Sequence, residues 1–440
     1  MSEVRIVGAT VVASADLVHT NAEIALSPST GVIGYLGPVR GPRGDGDIDG
    51  TGRIVAPGLI NAHTHAGISL LRGYSDDEPL QQWLGRIRAF ELRMTRDDIR
   101  AGLLLSMAEM ISTGTIGFID MFLWDSGLLA DVAAAGLRVY AAPAVFGYDA
   151  VGYPLASRQT GAQVLDGTPD LAAEFAGDPL IRVGYGPHAP YSCGPDLLAD
   201  VAARSSANGL GVQIHLSETA VEVQQSLSSS GRSPIALVAD IGLFRGSTHV
   251  AHAVHPEPGD AELLATDRVT VSYNPVSNLK LGAGVAPIPE YISAGVSLAI
   301  GTDSMASNNS ADLFEEIKFG ALVQRGMRHD PAILHGAGTL AMATSGGASA
   351  MGGGLSGRLA VGEAADLIVL DAGGFTATPL HDPVAFLGYA AGGSDVTDVF
   401  VRGRRLLADR RLTTLDAAAI KADAAHRVAR IRAELAGARS

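Results

Sequence analysis

Five polar side chains stand where short apolar runs of the sequence end, and their types are those that bind metal ions. His63 and His65 are separated by one residue, so in a strand both point to the same side. His215 and His252 each end a further apolar run, and Asp303 follows another. Imidazoles and one carboxylate suit zinc or ferrous iron, and three histidines with one aspartate leave a position for water. The sequence therefore predicts a site for a divalent metal.

The remaining polar groups are of the types that move protons. A bound divalent cation lowers the pKa of water to about 7, which supplies hydroxide at neutral pH. Glu218 follows His215 by three residues and is placed to shuttle protons. We expect His252 to orient or polarise the water, and Asp303 to bind the metal and accept a proton. Together these groups predict metal-assisted hydrolysis.

The lysine content favours one metal ion over two. Hydrolases with two metals in a barrel often bridge them with a carboxylated lysine from a middle strand. The three lysines of this chain are Lys280, Lys318 and Lys421, and none lies between His65 and His215. We therefore expect a single metal.

The apolar runs that carry these residues alternate with amphipathic stretches such as Ser106–Thr113, Leu128–Ala135 and Asp196–Ala207, which we predict to be helices. The predicted strands are Leu59–His63, Ile116–Met121, Arg138–Ala142, Ile181–Tyr185, Gly211–His215, Thr248–His252, Val269–Tyr273 and Val296–Gly301. Eight strands alternating with helices are typical of a (β/α)8 TIM barrel, whose reacting groups sit at the carboxyl ends of the strands. The polar residues occupy such ends.

The two ends of the chain have β patterning of their own. Predicted strands there are Val4–Ala13, Ala22–Leu26, Val32–Leu36, Ala365–Leu370 and Val396–Arg402. We predict an α/β protein in which residues 1–56 and 357–415 form one small β-sandwich domain. Residues 57–356 would form the TIM barrel and residues 416–440 a C-terminal helix. The loop Tyr148–Thr168, rich in Gly, Pro and Tyr, is expected to cover the substrate.

Composition excludes several classes of protein. The formal net charge is −14 and no Lys/Arg cluster is present, which argues against a nucleic-acid partner. The sequence contains no apolar stretch of about 20 residues, so no membrane span is predicted. The single cysteine, Cys193, allows no intrachain disulfide, and the first residues lack the pattern of a signal peptide. We expect a cytoplasmic protein that acts on small molecules.

Several longer motifs surround these residues. They are Ala56–His65, Leu71–Gly73 before Trp83–Leu84, Gly186–Tyr191, His215–Thr219, Asn274–Gly282, Gly301–Asn309 and Gly362–Leu367. With them the chain resembles the amidohydrolase superfamily over nearly its whole length. It is most similar to the branch of methylthioadenosine/S-adenosylhomocysteine deaminases and their chlorohydrolase relatives.

The resemblance implies roles for individual residues. The implied metal ligands are His63, His65, His215 and Asp303, holding one divalent ion per subunit; zinc is expected, and ferrous iron accepts the same ligands. Glu218 would deliver protons to the ring and contact a ring nitrogen, and His252 would hold the attacking water. The remaining implied substrate contacts are His188 to the nucleoside, Glu91 to ribose hydroxyls, and Trp83 and Ser307 in the pocket wall. The resemblance leaves a homo-oligomer open.

The expected reaction is hydrolytic deamination of an aminated nitrogen heterocycle, such as the adenine of methylthioadenosine or adenosine. Relatives that bind a homocysteine tail present an arginine after the third strand, where this chain has Ala142–Val145. Without that bidentate partner for a carboxylate, S-adenosylhomocysteine is a less favoured substrate.

Three alternatives stay open at this point. The same residues could displace chloride or an alkylamine from a triazine, or deaminate a guanine-like or pterin ring. Chloride-displacing relatives need not keep the proton shuttle, so Glu218 favours deamination. The remaining alternative is a scaffold without catalysis, but such relatives usually lack metal ligands, and none is missing here.

Overall fold

The computed structural model describes residues 3–78 and 80–437. Its strands are β1 Val4–Ser14, β2 Leu17–Ser27, β3 Val32–Pro38, β4 Ile48–Asp49, β5 Arg53–Pro57, β6 Leu59–Thr64, β7 Thr115–Phe122, β8 Arg138–Val145, β9 Ile181–Val183, β10 Gly186–Pro187, β11 Val212–Leu216, β12 Thr248–His252, β13 Val269–Tyr273, β14 Ser297–Ile300, β15 Leu367–Asp371, β16 Val396–Val401, β17 Arg404–Ala408 and β18 Arg411–Leu412.

Helices separate most of the strands in the middle of the chain. They are α1 Leu80–Glu91, α2 Arg96–Ser112, α3 Ser126–Ala135, α4 Gly161–Glu174, α5 Pro190–Asn208, α6 Ala220–Ser230, α7 Pro234–Ile241, α8 Asp260–Leu264, α9 Pro275–Lys280, α10 Ile288–Ala294, α11 Met305–Asn308, α12 Leu313–Arg328, α13 Gly336–Ala341, α14 Gly347–Met351, α15 Pro383–Tyr389 and α16 Ala417–Gly437. Shorter 3-10 segments cover Ala66–Leu71, Leu243–Arg245, Phe375–Ala377 and Gly393–Asp395, and a π-helical turn covers Met342–Gly346.

Strands β6 to β14 form the barrel as two parallel sheets. One contains β6, β7 and β8 with β9 and β10 both beside β8, and the other runs in the order β11-β12-β13-β14. Tyr185 bridges Val212 where the two sheets meet. On the opposite side the backbone N–H of Asp303 donates to the carbonyl of His63 at 2.9 Å. Since β9 and β10 share the fourth position, the predicted eight-stranded TIM barrel is confirmed.

The terminal segments share one mixed sheet of nine strands. Its order is β18-β17-β16-β15-β5-β1-β2-β3, with β4 also paired to β1. The sheet curls back on itself, because Val32 in β3 pairs with Ala364 just before β15. The curl encloses a separate apolar core that includes Ile24, Leu26 and Phe400. The expected sandwich is therefore one continuous sheet wrapped around its own core.

Helix α16 ties the C-terminus to the barrel. It packs on α2, where the buried carboxylate of Asp98 forms ion pairs with Arg427 and Arg430. The sequence prediction of a helix over residues 416–440 agrees with α16 to within one residue at its start, and residues 438–440 lie outside the described ranges. In residues 3–78 and 80–437, every helix is too short or too polar to cross a bilayer.

The segment predicted as one long loop, Tyr148–Thr168, is a loop only in its first part. Helix α4 begins at Gly161, because Thr160 caps it. The hydroxyl of Thr160 accepts from the backbone N–H of Gln163, whose side chain in turn accepts from the backbone N–H of Thr160. This reciprocal capping box was present in the sequence but outweighed by the surrounding Gly and Pro residues.

Candidate metal centre and active-site cavity

Four of the predicted residues meet at the carboxyl end of the barrel. His63 is the penultimate residue of β6 and His65 directly follows that strand. His215 lies in β11, and Asp303 follows β14. Oδ1 of Asp303 lies 3.5 Å from Nε2 of His63 and 3.4 Å from Nε2 of His65. Nε2 of His215 lies 3.4 Å from Nε2 of His65. The structure therefore brings these four side chains around one point.

Each of the three imidazoles is held through its other ring nitrogen. The partners of Nδ1 are the side-chain amide of Gln213 at 3.0 Å from His63, the carbonyl of Met121 at 2.5 Å from His65, and the carbonyl of His188 at 2.8 Å from His215. Contacts of this kind fix the ring orientation of metal-binding histidines. They leave Nε2 of each ring directed at the shared point.

The arrangement fits a metal ion. His63 is fully buried, and its Nε2 atom has no hydrogen-bond partner, which is costly for a polar group unless something binds it. Ligand atoms of His63, His65 and Asp303 lie within 4.8 Å of one another, and so do those of His63, His215 and His252. Burial lowers the pKa of His63 to about 3, so the ring is neutral and its lone pair is free for a cation. These groups form a site for a divalent metal.

His252 stands beside this site at the end of β12. The side-chain amides of Asn274 and Asn278 lie 3.3 Å and 2.9 Å from its Nδ1. Its Nε2 lies 4.0 Å from a carboxylate oxygen of Glu218. Burial lowers the pKa of His252, and its backbone has a φ of +77°, a strained conformation for a residue other than glycine. The two amides and the strained backbone place the ring between the metal site and Glu218.

Asp303 also has a strained backbone, with a φ of +59°. Its Oδ2 accepts hydrogen bonds from the hydroxyls of Ser277 at 2.6 Å and Ser307 at 2.9 Å, which leaves Oδ1 to face His63 and His65. Burial alone would raise the pKa of Asp303, but the neighbouring imidazoles of His63, His65 and His252 hold it well below its usual value. Asp303 is therefore a charged carboxylate whose Oδ1 accepts from the backbone N–H of Ser304 at 2.7 Å and still faces the two histidines, where it can bind a metal.

The carboxyl group of Glu218 lies in a buried environment at the site. Burial, followed by the charge of Asp303, raises the pKa of Glu218 to about 8. A carboxyl group with such a pKa holds a proton at neutral pH and can donate it. The side chain lines the same cavity as His65, His215, His252 and Asp303.

The cavity has a volume of about 580 Å³ and opens above these groups. Its lining includes three of the predicted substrate contacts, Trp83, Glu91 and His188. Apolar and aromatic walls come from Ile68, Ile87, Met121, Phe122, Phe146, Tyr153 and Leu281. Such a mixture suits a flat ring bearing a few polar atoms.

Two predicted substrate contacts are held by other side chains of the protein. Nδ1 of His188 and the hydroxyl of Ser192 form a hydrogen bond of 3.0 Å. Burial lowers the pKa of His188 to about 3. Arg88 lies 3.4 Å from the carboxylate of Glu91, whose pKa is raised by burial. Both groups thus enter the cavity with fixed neighbours.

Ser307, the remaining predicted contact, lies behind Asp303 with 1% of its surface exposed. In the described part of the chain, the serine that lines the cavity in this region is Ser304. The structure therefore places Ser307 against the carboxylate and away from the space a substrate would fill.

Several residues that shape the site were not singled out from the sequence. Asp120, buried in β7, accepts from the backbone N–H of Ala66 at 2.5 Å and from the indole of Trp124 at 3.0 Å, so it fixes the chain just after His65. Gln213, Asn278 and Ser277 hold other site residues, as described above. A buried polar residue in or beside a barrel strand was the available signal, but its partner is distant in sequence.

Comparison with known proteins agrees with this geometry. The profile of the Amidohydrolase family matches residues 54–406. The chain belongs to the amidohydrolase family. Among its family relatives, the 5-methylthioadenosine/S-adenosylhomocysteine deaminase of Syntrophobacter fumaroxidans is 41% identical over 375 residues, or 84% of each chain. The protein of the same name from Pelotomaculum thermopropionicum is 37% identical over 98% of this chain and 99% of its own.

Solved structures of similar shape include an adenosine deaminase from Xanthomonas campestris with bound zinc. It superposes with a TM-score of 0.91 at 32% identity and covers 98% of both chains. An atrazine chlorohydrolase from Arthrobacter aurescens, complexed with zinc, has a TM-score of 0.84 at 23% identity over 97% of this chain and 100% of its own. At that identity the second likeness supports the amidohydrolase fold alone.

Proposed function

We propose that this amidohydrolase is a zinc-dependent deaminase that converts an adenine nucleoside and water into the corresponding hypoxanthine nucleoside and ammonia. Relatives at 41% and 37% identity are named as deaminases of adenine nucleosides, and a protein of nearly the same shape is an adenosine deaminase with bound zinc. The single observation that carries the proposal is that the buried carboxyl group of Glu218 lines one cavity with His65, His215, His252 and Asp303.

His63, His65, His215 and Asp303 would hold the metal, since Nε2 of each ring and Oδ1 of the carboxylate are the atoms directed at the shared point. When bound, a divalent cation at such a site lowers the pKa of water so that water can attack at neutral pH. His63 and His65 come from the end of the first barrel strand, and His215 and Asp303 come from the ends of two other strands. Tight positioning of this kind is what a rigid barrel provides.

The protein's own groups supply the proton transfers. Water adds to the amine-bearing carbon, and the electron pair of the C=N bond moves to the adjacent ring nitrogen. Glu218 donates its proton to that nitrogen. His252, held by Asn274 and Asn278, orients the attacking water, and the charged Asp303 accepts the proton that the water loses. Passing that proton to the amine lets ammonia leave as the bond between carbon and the amine nitrogen breaks. The hydroxyl proton of the added water then returns to Glu218 as the C=O bond forms, which restores the proton donor.

The cavity walls would select the rest of the substrate. Trp83 and the neighbouring aromatic rings offer flat apolar surface for the base. Glu91 would accept hydrogen bonds from ribose hydroxyls, and His188 would contact the nucleoside; both side chains line the cavity. Ser307 would act on the substrate only through Asp303, since its hydroxyl donates to that carboxylate.

The charge of the cavity favours a substrate with an uncharged tail. Among the described residues that line it, Arg88 is the only lysine or arginine, and it already contacts Glu91. The segment where related proteins are expected to carry an arginine contributes Ala144 to the wall instead. We therefore expect methylthioadenosine and adenosine to react with a higher kcat/KM than S-adenosylhomocysteine, by at least about tenfold for a lost charge-assisted bidentate contact.

A substrate panel tests the proposal. Ammonia release should be measured with adenosine, 5′-methylthioadenosine, S-adenosylhomocysteine, guanine, a pterin and an aminated triazine, and chloride release with a chlorinated triazine, using protein loaded with zinc. Turnover of adenine nucleosides alone is expected. Turnover confined to guanine, the pterin or the triazine would overturn the proposed substrate.

A variant tests the proton donor. Glu218→Gln keeps the size of the side chain but removes the transferable proton, so kcat should fall by at least about 100-fold, the lower range for general acid catalysis. Zinc content should remain at one equivalent, because Glu218 is not placed among the ligands. Full activity of this variant would refute the role.

A further inference from the structure

A second buried carboxylate lies directly behind Glu218. Glu222, in the first turn of α6, is 7% exposed. Its Oε2 accepts a hydrogen bond from the backbone N–H of Glu218 at 2.8 Å, and its Oε1 accepts one from the backbone N–H of Ser217 at 3.0 Å. One carboxylate thus binds two consecutive amides of the turn that carries the proposed proton donor.

That turn is not a relaxed one. Ser217 has a φ of +50°, which disfavours any residue with a side chain and must be held by its surroundings. The carbonyl of Ser217 accepts from the backbone N–H groups of Val254 and His255, both at 2.9 Å. The turn therefore connects Glu218 on one side with the chain that follows His252 on the other.

The start of α6 explains how Glu222 reaches this position. The hydroxyl of Thr219 caps the helix by accepting from the backbone N–H of Glu222 at 3.2 Å. The side chain of Glu222 then folds back past the cap to the two amides of the turn. A carboxylate in the first turn of a helix is also favoured by the helix dipole.

Glu222 has no direct access to a substrate. In the described part of the chain the cavity lining includes Glu218 and His215 from this region, but Glu222 is outside it. Glu222 therefore does not contact the substrate, and its hydrogen bonds to the turn are the contacts through which it can position Glu218.

We propose that Glu222 is a positioning residue for catalysis: its two hydrogen bonds hold the strained Ser217–Glu218 turn so that the carboxyl group of Glu218 faces the reacting ring. This inference rests on the proposed function for its effect on turnover. Its structural part, the protection of two backbone amides from hydrogen exchange by Glu222, does not depend on the proposed function.

The variant Glu222→Gln tests the proposal. It keeps the side-chain size and one acceptor oxygen but places an NH2 group against one of the two amides. We expect kcat for an adenine nucleoside to fall by about 10- to 100-fold, the scale of loss from a small misplacement of a reacting group. KM should change by less than about threefold and zinc content should not change, because the cavity walls and metal ligands are untouched.

Asp312 provides a matched control. This partly buried carboxylate likewise accepts from two backbone N–H groups, those of Phe314 at 3.0 Å and Gly393 at 2.8 Å, and lies outside the cavity lining. Asp312→Asn should lower Tm as Glu222→Gln does, but leave kcat unchanged. An unchanged kcat in Glu222→Gln, or equal losses of kcat in both variants, would overturn the proposal. If Glu222→Gln is insoluble, Glu222→Asp, whose shorter side chain withdraws the carboxylate from the turn, gives the same comparison.

Hydrogen exchange separates this inference from the proposed function. The amides of Ser217 and Glu218 should exchange faster in Glu222→Gln than in the wild type, and at the wild-type rate in Asp312→Asn. Unchanged protection in Glu222→Gln would overturn the proposal whatever the enzyme does. If the wild type deaminates none of the panel compounds, the proposed function fails, and the exchange rates still decide whether Glu222 holds the turn.

Discussion

Burial decides the charge of the acidic residues around the site, and the outcome differs from one residue to the next. Asp303 stays ionised because histidines face it, whereas burial, followed by the charge of Asp303, raises the pKa of Glu218 to about 8. Two carboxyl groups with pKa values pushed apart in this way can take the opposite roles of base and acid. The residue types alone do not contain this information, because it depends on what packs against each side chain.

Glu316 in α12, which is not among the proposed metal ligands, gives a separate test of these electrostatics. It is fully buried, accepts from the side chain of Asn308 at 2.6 Å and the N–H of Val276 at 3.2 Å, and burial raises its pKa to about 8. In the unfolded chain its pKa is near the usual 4.5. Between these values the folded state binds the extra proton, so this group's contribution to stability is complete below pH 4.5 and is lost as pH rises through 8.

The variant Glu316→Gln has no ionisable group at this position, so its stability should not fall with pH for this reason. The free energy of unfolding of the wild type, relative to the variant, should fall by at least about 1 kcal/mol between pH 5.5 and pH 8.5. Urea unfolding at the two pH values measures the difference. Parallel pH dependences of the two proteins would show that Glu316 titrates normally.

The candidate ligands could be predicted from sequence because each follows an apolar run. Spacing directs His63 and His65 to one side, and the carboxyl ends of barrel strands bring His215 and Asp303 to them. The groups that hold them could not be predicted. Gln213 contacts a histidine 150 positions away, and Ser277 a carboxylate 26 positions away. Only the closed barrel makes such residues neighbours.

At the scale of elements, all eight predicted barrel strands overlap observed strands, because each is a short buried run between turn residues. The boundary of α4 was missed for the opposite reason. Gly, Pro and Tyr around positions 148–160 outweighed the weak cap at Thr160, and the local sequence does not show that the helix buries Leu165 against the barrel. Irregular segments are decided by packing, which a pattern of residues does not contain.

Helix α2 provides a test of how elements hold the metal site. A Cβ atom at Gly102 would lie 2.1 Å from the carbonyl oxygen of Gly67, in the 3-10 segment that follows His65. The hydroxyl of Ser69 also donates to the carbonyl of Gly102 at 2.7 Å. Gly102→Ala should therefore push this segment away, destabilise the protein by about 1–3 kcal/mol, and weaken zinc retention during dialysis against a chelator.

Gly326 in α12 is the matched control for this substitution. Nothing lies within 4 Å of a Cβ atom placed there. Gly326→Ala should be neutral or stabilise the protein by up to about 1 kcal/mol, from helix propensity alone, with normal zinc retention. Equal behaviour of the two variants in thermal unfolding and dialysis would argue against the contact between α2 and the metal site.

For the whole molecule, the terminal sheet is joined to the barrel by a buried ion pair. Nε of Arg138, at the start of β8, donates to Asp366 at 2.7 Å, and the other oxygen of Asp366 accepts from the backbone N–H of Arg402 at 2.7 Å. Both side chains of the pair are less than 10% exposed, with values of 5% and 9%. Asp366, just before β15, thus connects the barrel to the turn after β16.

Asp366→Ala should leave Arg138 buried without a counter-charge and lower the free energy of unfolding by about 3–5 kcal/mol. Asp166→Ala removes one of two carboxylate partners of Arg204, which also pairs with Asp200. Asp166 is 68% exposed, so this loss should cost less than about 1 kcal/mol. Urea unfolding of both variants compares them. Similar small losses would mean that the pair at Arg138 does not join the two parts of the molecule.

The most direct test of the proposed metal site is anomalous diffraction at the zinc absorption edge from crystals of the zinc-loaded protein. We predict one peak per chain, within coordination distance of Nε2 of His63, His65 and His215 and of the carboxylate of Asp303, about 2.0–2.2 Å for such ligands. A peak held by other residues, or zinc-loaded crystals with no peak at these four side chains, would contradict it.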